Sequence, residues 1–267
     1  MLIASLSNPT VKRLRLLHER HGRAQQGLFL VEGVRLVEEA LEGGLQPDTV
    51  LVAPAMLGAT ARGRTLLQRL RHQRDLPPPL EVTPAVLRHV ADTETPSGVV
   101  TALPLGPAYA LAELPRQAGL ALVLDGVQDP GNAGTILRTA AASGVDAVVA
   151  LAGCVDLYAP KVVRAGMGAH FRLALAVDVD ARELPPWLAS RGQALLADPQ
   201  ATESIYDVDL RGPVVLIAGS EAHGAVRAEA LPAVRRAAIP MPGGMESLNV
   251  AVATAVILFE ALRQRRG

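Results

Sequence analysis

The stretch Leu120-Ala-Leu-Val-Leu-Asp-Gly-Val-Gln-Asp-Pro-Gly-Asn-Ala-Gly-Thr-Ile-Leu-Arg138 decides the fold of the larger part of this chain. It opens with the continuous apolar run Leu120 to Leu124, which is typical of a parallel strand buried on both faces. Glycines and polar residues follow, and a helical segment from Asn132 to Ser143 ends at Gly144. Passage from a buried strand through a glycine-bearing turn into a helix is typical of an open parallel α/β sheet.

The same alternation continues toward the C-terminus. Strand-like runs recur at 147–151, 173–177, 194–197 and 214–218, with helical segments near 160–167 and 181–190. This pattern predicts a parallel, Rossmann-like α/β domain over residues 118–267.

The first hundred residues form a second pattern of the same class. A helix is expected from a cap at Ser7 or Asn8 with Pro9 in its first turn. Alternating strands and helices up to Leu103 predict a small α/β sandwich over residues 1–104. The proline-bearing segment 105–117 has little periodicity, and we interpret it as a linker.

Composition limits the class of protein. The 267 residues are enough for two modest domains, and 26 basic residues balance 26 acidic ones, so net charge does not indicate nucleic acid. Only Lys12 and Lys161 are lysines, and the remaining cations are arginines, which suit phosphate contact but also arise from genome composition.

The chain has few features of a secreted, membrane or metal-binding protein. Cys154 is the single cysteine and lies in an apolar stretch, which favours a buried small side chain over a nucleophile. The N-terminal residues lack the order of a signal peptide, and the longest apolar stretch, Val250 to Phe259, is too short to cross a bilayer. We therefore expect a cytoplasmic protein with no membrane association, and no His/Cys cluster predicts a metal.

Two further segments share the character of the opening stretch. They are Ile217-Ala-Gly-Ser-Glu-Ala-His-Gly224 and Ile239-Pro-Met-Pro-Gly-Gly-Met-Glu-Ser-Leu-Asn249, each with glycines and a few polar side chains after an apolar run. In order and in amino-acid sequence, the three segments resemble the signature motifs of the SpoU (TrmH-like) class of SPOUT RNA methyltransferases. The resemblance implies S-adenosylmethionine as cofactor, a ribose 2′-hydroxyl of RNA as acceptor, and a C-terminal trefoil knot.

The sequence of residues 29–41 extends the resemblance to the first domain. It is similar to the substrate-binding domain, of the ribosomal L30e fold, that precedes the catalytic domain in this class. Ribosomal RNA is therefore the favoured substrate, with transfer RNA as the alternative.

The resemblance also implies roles for particular residues. Residues of the catalytic motifs are Asn132, Arg138, Glu221, Ser247 and Asn249, and the cofactor is expected to contact Gly219, Ile239, Met241 and Leu248, largely through their main chain. Ala222 stands where the class commonly has glycine, and His223 has no role in the class, so we interpret it as a loop residue.

The local pattern supports some of these roles and leaves alternatives open. Asn132 and Ser247 are each candidate N-caps, and a purely capping role for Asn132 remains open. Asn249 is expected two residues inside the last helix, where asparagine has little structural purpose.

Arg138 is the candidate for phosphate contact. Its helix neighbours Gly134, Thr135 and Ala142 are small, so its guanidinium has an open groove. A guanidinium rarely gives up its proton, so we expect Arg138 to hold phosphate and stabilise developing charge rather than act as a base.

Two predictions concern partners. Residues 9–23 form the most basic window, and we expect RNA contact, or alternatively a solvated helix face, at Lys12, Arg13, Arg15, Arg20 and Arg23. The helix from Val250 to Phe259 is apolar nearly all round, so it needs cover beyond one sheet face, and we expect a homodimer.

Two functions from other classes compete with the methyltransferase. A non-catalytic RNA-binding protein is disfavoured because all five motif residues are present. A nicotinamide-dependent oxidoreductase is disfavoured because no strand is followed by Gly-x-Gly-x-x-Gly with an acidic residue ~20 positions later.

Overall fold

The computed structural model describes residues 2–73, 75–106, 110–115, 119–219 and 234–266. The chain forms two compact units, Met1–Leu105 with Tyr158–Phe171, and Gly106–Leu157 with Arg172–Gly267. Across the described ranges, no helix has the length and apolar character that a membrane span requires. The predicted domain limits and the predicted linker remain predictions.

The first unit is built on a four-stranded sheet. Its strands are β1 (Leu28–Glu32), β2 (Thr49–Val52), β3 (Leu80–Glu81) and β4 (Val99–Pro104), in the order β1-β4-β2-β3. β4 runs antiparallel to both β1 and β2, and β3 runs parallel to β2. The helices are α1 (Pro9–Arg15), α2 (Arg20–Gln26), α3 (Val34–Glu42), α4 (Pro54–Leu57), α5 (Ala61–His72) and α6 (Pro84–Val90).

Two apolar cores cover the faces of this sheet. Successive residues of β1 point to opposite faces, so Phe29 and Val31 join one core while Leu28 and Leu30 join the other. The first core contains side chains of α3 and α5, and the second contains side chains of α1 and α6. The first unit is therefore a sheet between two layers of helices.

A segment distant in sequence completes the first unit. Helix α8 (Pro160–Gly166) places Val163 in the core beside α3. The rings of Tyr158 and Phe29 lie 5.1 Å apart, and Arg164 pairs with Asp92 at 2.5 Å. The sequence pattern predicted this helix but not its place in the first unit.

The basic N-terminal segment divides into two helices. Asn8 caps α1 by accepting a hydrogen bond from the Thr10 amide at 2.9 Å, which confirms one of the two expected caps. The helical pattern then breaks at a 3₁₀ turn, Leu16–His18, before α2. A Cβ at Gly22 would lie 2.0 Å from the Leu16 carbonyl oxygen, so only glycine lets α2 approach this turn so closely.

The second unit contains a parallel sheet of six strands. They are β5 (Leu120–Asp125), β6 (Ala147–Leu151), β7 (Ala174–Val179), β8 (Gln193–Ala197), β9 (Val214–Gly219) and β10 (Arg235–Ala237), in the order β10-β8-β9-β5-β6-β7. All five pairings are parallel, as expected. In a simple Rossmann order β8 would lie beside β5, but here β9 lies between them, which corrects the Rossmann-like expectation.

Two long helices complete the part of the second unit that carries the site. Helix α7 (Pro130–Ser143) follows β5, and the C-terminal helix α10 (Val250–Arg266) packs against α7. A short helix, α9 (Leu184–Ala189), precedes β8. Gln264 anchors the end of α10 because its side chain accepts from the Leu210 amide at 2.8 Å and donates to the Val208 carbonyl at 3.0 Å.

Candidate active site

A cavity of about 160 Å³ lies in the second unit where β8, β9 and β10 end. The carboxyl ends of parallel strands are where open α/β sheets form ligand sites. Gly219, Ile239, Met241 and Leu248, the four residues expected to hold the cofactor, all lie in its wall. Their contact with S-adenosylmethionine remains a prediction.

The wall also contains residues that the sequence pattern did not indicate, among them Asp198 and Thr254. The Asp198 carboxylate accepts from the Gln200 amide at 2.8 Å and from Arg236 at 3.2 Å. One sequence feature could have identified Asp198 as a site residue: it is an acidic residue directly after the buried strand β8. Thr254 is buried and donates its hydroxyl to the Val250 carbonyl at 2.7 Å, within helix α10.

The chemistry of the wall suits the implied cofactor. Aliphatic side chains such as Ile239, Leu248 and Ile257 match a purine ring and the methylene groups of a methionine chain. The Asp198 carboxylate is the one acidic side chain among the described wall residues, and it suits a cationic or hydroxyl-bearing ligand. The site thus fits S-adenosylmethionine.

Asn132 does not cap its helix, contrary to the expectation left open above. Helix α7 begins at Pro130, and its cap is Asp129, whose carboxylate accepts from the Asn132 amide at 2.7 Å. Asn132 therefore lies in the first turn of α7, and its side chain is not the cap. Its Oδ1 accepts from Nδ2 of Asn249 at 3.0 Å.

The cap of the last helix was also predicted at the wrong residue. Helix α10 begins at Val250, and Asn249 is its cap, because Asn249 Oδ1 accepts from the amides of Ala251 at 2.9 Å and Val252 at 3.3 Å. Ser247 is exposed and lies in the cavity wall instead. An asparagine interpreted as a poor helix former is here the residue that starts the helix.

Arg138 lies on the exposed face of α7. Thr135 and Ala142 are exposed on the same face, while Ile136 and Leu137 are buried. Within the part of the chain that the structure describes, no hydrogen bond or ion pair holds the Arg138 guanidinium. Glu221, another residue of the catalytic motifs, and the neighbouring Ala222 and His223 lie outside the described residues.

The basic window of the first unit is not uniform. Lys12, Arg15 and Arg20 are exposed, as RNA contact requires. Arg13 pairs with Asp48 at 2.5 Å and donates to the Thr49 hydroxyl at 2.6 Å, and this pairing holds the pKa of the Asp48 carboxyl below its usual value.

Arg23 corrects the expected RNA surface. Arg23 is only 4% exposed, and its guanidinium donates to the carbonyls of Leu17 at 2.7 Å and His18 at 2.8 Å. These contacts close the 3₁₀ turn against α2. A guanidinium buried in this way holds the fold and cannot reach RNA phosphate.

Cys154 has the character of a partly buried thiol. Its Sγ donates to the Leu124 carbonyl at 3.2 Å, and burial raises the pKa of the thiol above its ordinary value. A raised pKa lowers the thiolate fraction, so the side chain is a poor nucleophile. The described residues include no group of three or more His, Cys, Asp or Glu side chains placed to hold a metal.

Comparison with protein families gives the site its context. Residues 119–259, more than half of the chain, match the SpoU rRNA Methylase family. The chain belongs to this family. Residues 8–101 match the MRM3-like substrate binding domain.

Individual relatives agree over nearly the full chain. An uncharacterized tRNA/rRNA methyltransferase of Synechocystis is 39% identical, covering 98% of this chain and 94% of the relative. The 23S rRNA (uridine(2479)-2′-O)-methyltransferase of Streptomyces viridochromogenes is 31% identical, covering 94% of this chain and 88% of the relative. The crystal structure of an AdoMet-bound rRNA methyltransferase from Sinorhizobium meliloti superposes with a TM-score of 0.83 at 30% identity, covering 98% and 97% of the two chains.

These comparisons confirm the main predictions made from the three motifs. The family, the parallel α/β SPOUT fold, a preceding substrate-binding domain, the methyltransferase class and S-adenosylmethionine as cofactor are confirmed. The trefoil knot and the roles of individual site residues remain predictions.

Proposed function

We propose that this protein transfers a methyl group from S-adenosylmethionine to a ribose 2′-hydroxyl of ribosomal RNA. The observation that carries the proposal is the apolar cavity at the ends of β8 to β10, with the Asn132–Asn249 pair at the start of α10 beside it. Ribosomal RNA is favoured because the Streptomyces and Sinorhizobium relatives are named for it. Transfer RNA is the alternative, since the name of the Synechocystis relative includes both.

The wall of the cavity would hold the cofactor. The main chain at Gly219, Ile239 and Leu248 offers hydrogen-bonding groups, and Met241 adds polarisable surface. When bound, S-adenosylmethionine supplies an electrophilic methyl group on a sulfonium. The protein's own task is to exclude water around that group and to orient the ribose oxygen toward it.

Arg138 would bind the phosphate next to the target ribose. Its exposed position among small neighbours lets the planar fork approach a phosphate, which a guanidinium can hold through two hydrogen bonds. Its fixed positive charge would then stabilise negative charge developing on the ribose oxygen. We assign Glu221 the role of orienting this guanidinium and Ser247 a contact at the cavity mouth.

The exposed part of the basic window in the first unit would also bind RNA. Lys12, Arg15 and Arg20 are the proposed contacts, and Arg13 joins them with its orientation set by Asp48. Arg23 is left out because it is buried.

We further propose a cytoplasmic homodimer that covers one face of α10. Val252 is 50% exposed and Phe259 is 49% exposed, and their spacing of seven residues places both on that face with the half-buried Val256 between them. An exposed apolar helix face of this kind is typical of a surface that packs against a partner. Phe259→Glu should produce a monomer of 28.0 kDa in light scattering, and a wild-type protein that is already a dilution-stable monomer would refute the dimer.

Ligand binding and RNA mapping together test the proposed function. S-adenosylhomocysteine at a hundredfold excess over its dissociation constant should stabilise the fold by ~2.7 kcal/mol, whereas NAD should not. Mapping 2′-O-methyl groups in total RNA with and without the gene should reveal one lost site in ribosomal RNA. Stabilisation by NAD alone would exclude a methyltransferase, and a lost site in transfer RNA would exclude the favoured substrate.

A further inference from the structure

An open groove of about 650 Å³ lies on the surface of the first unit, with walls from α1 and α2. Helix α1 contributes Lys12 and Arg13, the 3₁₀ turn contributes Leu16, and α2 contributes Gln25 and Gln26. Sites of roughly 300–1,000 Å³ are the usual size for one small molecule. The groove is therefore large enough for a single nucleotide.

Contacts within the first unit hold the walls of this groove in place. The Arg13 guanidinium donates to the Asp48 carboxylate and to the Thr49 hydroxyl, and Nε2 of Gln26 donates to the Arg13 carbonyl at 3.1 Å. These hydrogen bonds tie α2 to α1, and α1 to the start of β2. A wall that is already ordered lowers the entropic cost of binding a ligand.

The charge of the groove favours an anion. Asp48 is the one acidic side chain among the described residues of the wall, and Arg13 neutralises it. Lys12 is exposed, and its ammonium is bonded to no other described residue, so it leaves the wall with a net positive charge. A phosphate is complementary to this charge.

The groove also presents an apolar side chain and an amide. Val11, Leu14 and Leu17 of the same segment are fully buried, whereas Leu16 is 53% exposed and lies in the groove. A single exposed leucine is ordinary on a protein surface, but here it shares one groove with a cation. Gln25 is exposed in the same wall, is bonded to no other described residue, and offers both a donor and an acceptor.

We infer that this groove binds an unpaired nucleotide of the RNA, with its phosphate on Lys12, its base against Leu16 and the edge of the base at Gln25. The inference rests on the proposed function, because it names the class of RNA that the first unit recognises. In an A-form duplex the bases are stacked and side chains cannot read the deep major groove, whereas loops, bulges and ends can place a base in a protein groove. The recognised RNA therefore has a single-stranded segment.

Leu16→Ala in the full-length protein tests this inference, with Leu6→Ala as the matched control. Leu6 is 47% exposed and lies outside the groove, so both substitutions remove the same exposed apolar group. The probes are a fluorescein-labelled single-stranded RNA of mixed sequence, its duplex with the complementary strand, and a base-free ribose-phosphate chain of equal length. Fluorescence anisotropy measures the affinity for each probe.

Leu16→Ala should weaken binding of the single strand ~5-fold, near the lower end of the effect of removing a side chain that stacks on a base. Its affinity for the duplex and for the base-free chain should stay unchanged, and so should the dependence of affinity on salt, because no charge is removed. Leu6→Ala should bind all three probes as the wild type does. Equal losses on single strand and duplex, or no loss on either, would overturn the inference, and no loss is the result expected if the groove binds a protein segment instead.

A second measurement reports contact with a base directly. In protein with ¹³C-labelled leucine methyl groups, the signals that disappear in Leu16→Ala identify Leu16. Single-stranded RNA should move these signals upfield through the ring current of the base, and the base-free chain should not, while the Leu6 signals stay in place. Unmoved Leu16 signals at saturating single-stranded RNA would overturn the inference. A wild-type protein that methylates neither ribosomal nor transfer RNA would refute the proposed function, and the methyl signals would still decide whether the groove holds a base.

Discussion

The arginines of the basic N-terminal window and the arginine of helix α7 differ in what holds them. Arg23 is buried against two carbonyl oxygens, and Arg13 is paired with Asp48, so protein contacts hold both. Arg138 is exposed, and no other described residue is bonded to it. Part of the charge of the most basic window thus stabilises its own fold, whereas the single arginine of α7 is exposed and is the one proposed to bind a ligand.

This difference shows that charge density in a sequence is a poor guide to which cation binds RNA. Burial turns a guanidinium into a set of donors for backbone carbonyls, and the cost of removing it is then a cost in stability. An exposed guanidinium among small neighbours contributes little to the fold and is available for phosphate. Stability and activity measurements should therefore separate the two classes.

The largest effect is expected at Arg138. Arg138→Ala should reduce turnover on RNA by ~10²-fold or more, since a positioned charge-stabilising group is lost, while affinity for S-adenosylhomocysteine and the melting temperature stay unchanged. Arg138→Lys should restore little, because a point charge cannot reproduce the planar fork. Near-normal single-turnover rates in Arg138→Ala would remove this residue from the proposed site.

The next effect is expected in stability, at Arg23. Arg23→Ala should lower the free energy of unfolding by about 2–4 kcal/mol, because one buried and one partly buried carbonyl oxygen lose charge-assisted hydrogen bonds. Urea denaturation measures this loss, and the exposed Lys12→Ala is the matched control, with an expected change within about 0.5 kcal/mol. If the two variants were equally stable, the assignment of Arg23 to the fold would be wrong.

A smaller effect is expected on RNA affinity in the exposed part of the window. Lys12→Ala and Arg15→Ala should each weaken RNA binding several-fold and reduce the slope of log affinity against log salt by about 0.7, the value for one phosphate contact on a single strand. Single-turnover chemistry at saturating RNA should be preserved. A solvated helix face with no RNA contact predicts an unchanged salt slope, which fluorescence anisotropy would detect.

The smallest effect is expected from His18, on the same turn as the Arg23 contacts. Burial lowers the pKa of His18 below its ordinary value, partly offset by the Val90 carbonyl and by Asp92. The unfolded chain therefore binds a proton more readily than the folded one, and stability should fall as the pH decreases below about 6.5. Melting curves at pH 7.5 and 5.5 should show a smaller loss in His18→Gln than in wild type, and an equal loss would show that His18 does not contribute.

Much of the architecture could be predicted because local signals agreed with the tertiary structure. The apolar run at Leu120 to Leu124 is a buried parallel strand, Asn8 and Pro9 start α1, and Gly144 ends α7 in the left-handed conformation. The short strand Arg235–Ala237 was missed because two of its three residues are exposed arginines, so it carries no apolar signal. Local sequence patterns could not predict the strand order either, since the place of β9 between β5 and β8 depends on packing between distant segments.

The sequence by itself determined the family and the cofactor, because three motifs in the order typical of the class carry the resemblance. Only the tertiary structure decided what each polar side chain does. Asp129 and not Asn132 caps α7, Asn249 and not Ser247 caps α10, and Arg23 is buried. The physical reason is that a hydrogen bond depends on which groups face each other within about 3 Å, and the Asn249–Asn132 pair joins residues that are 117 positions apart.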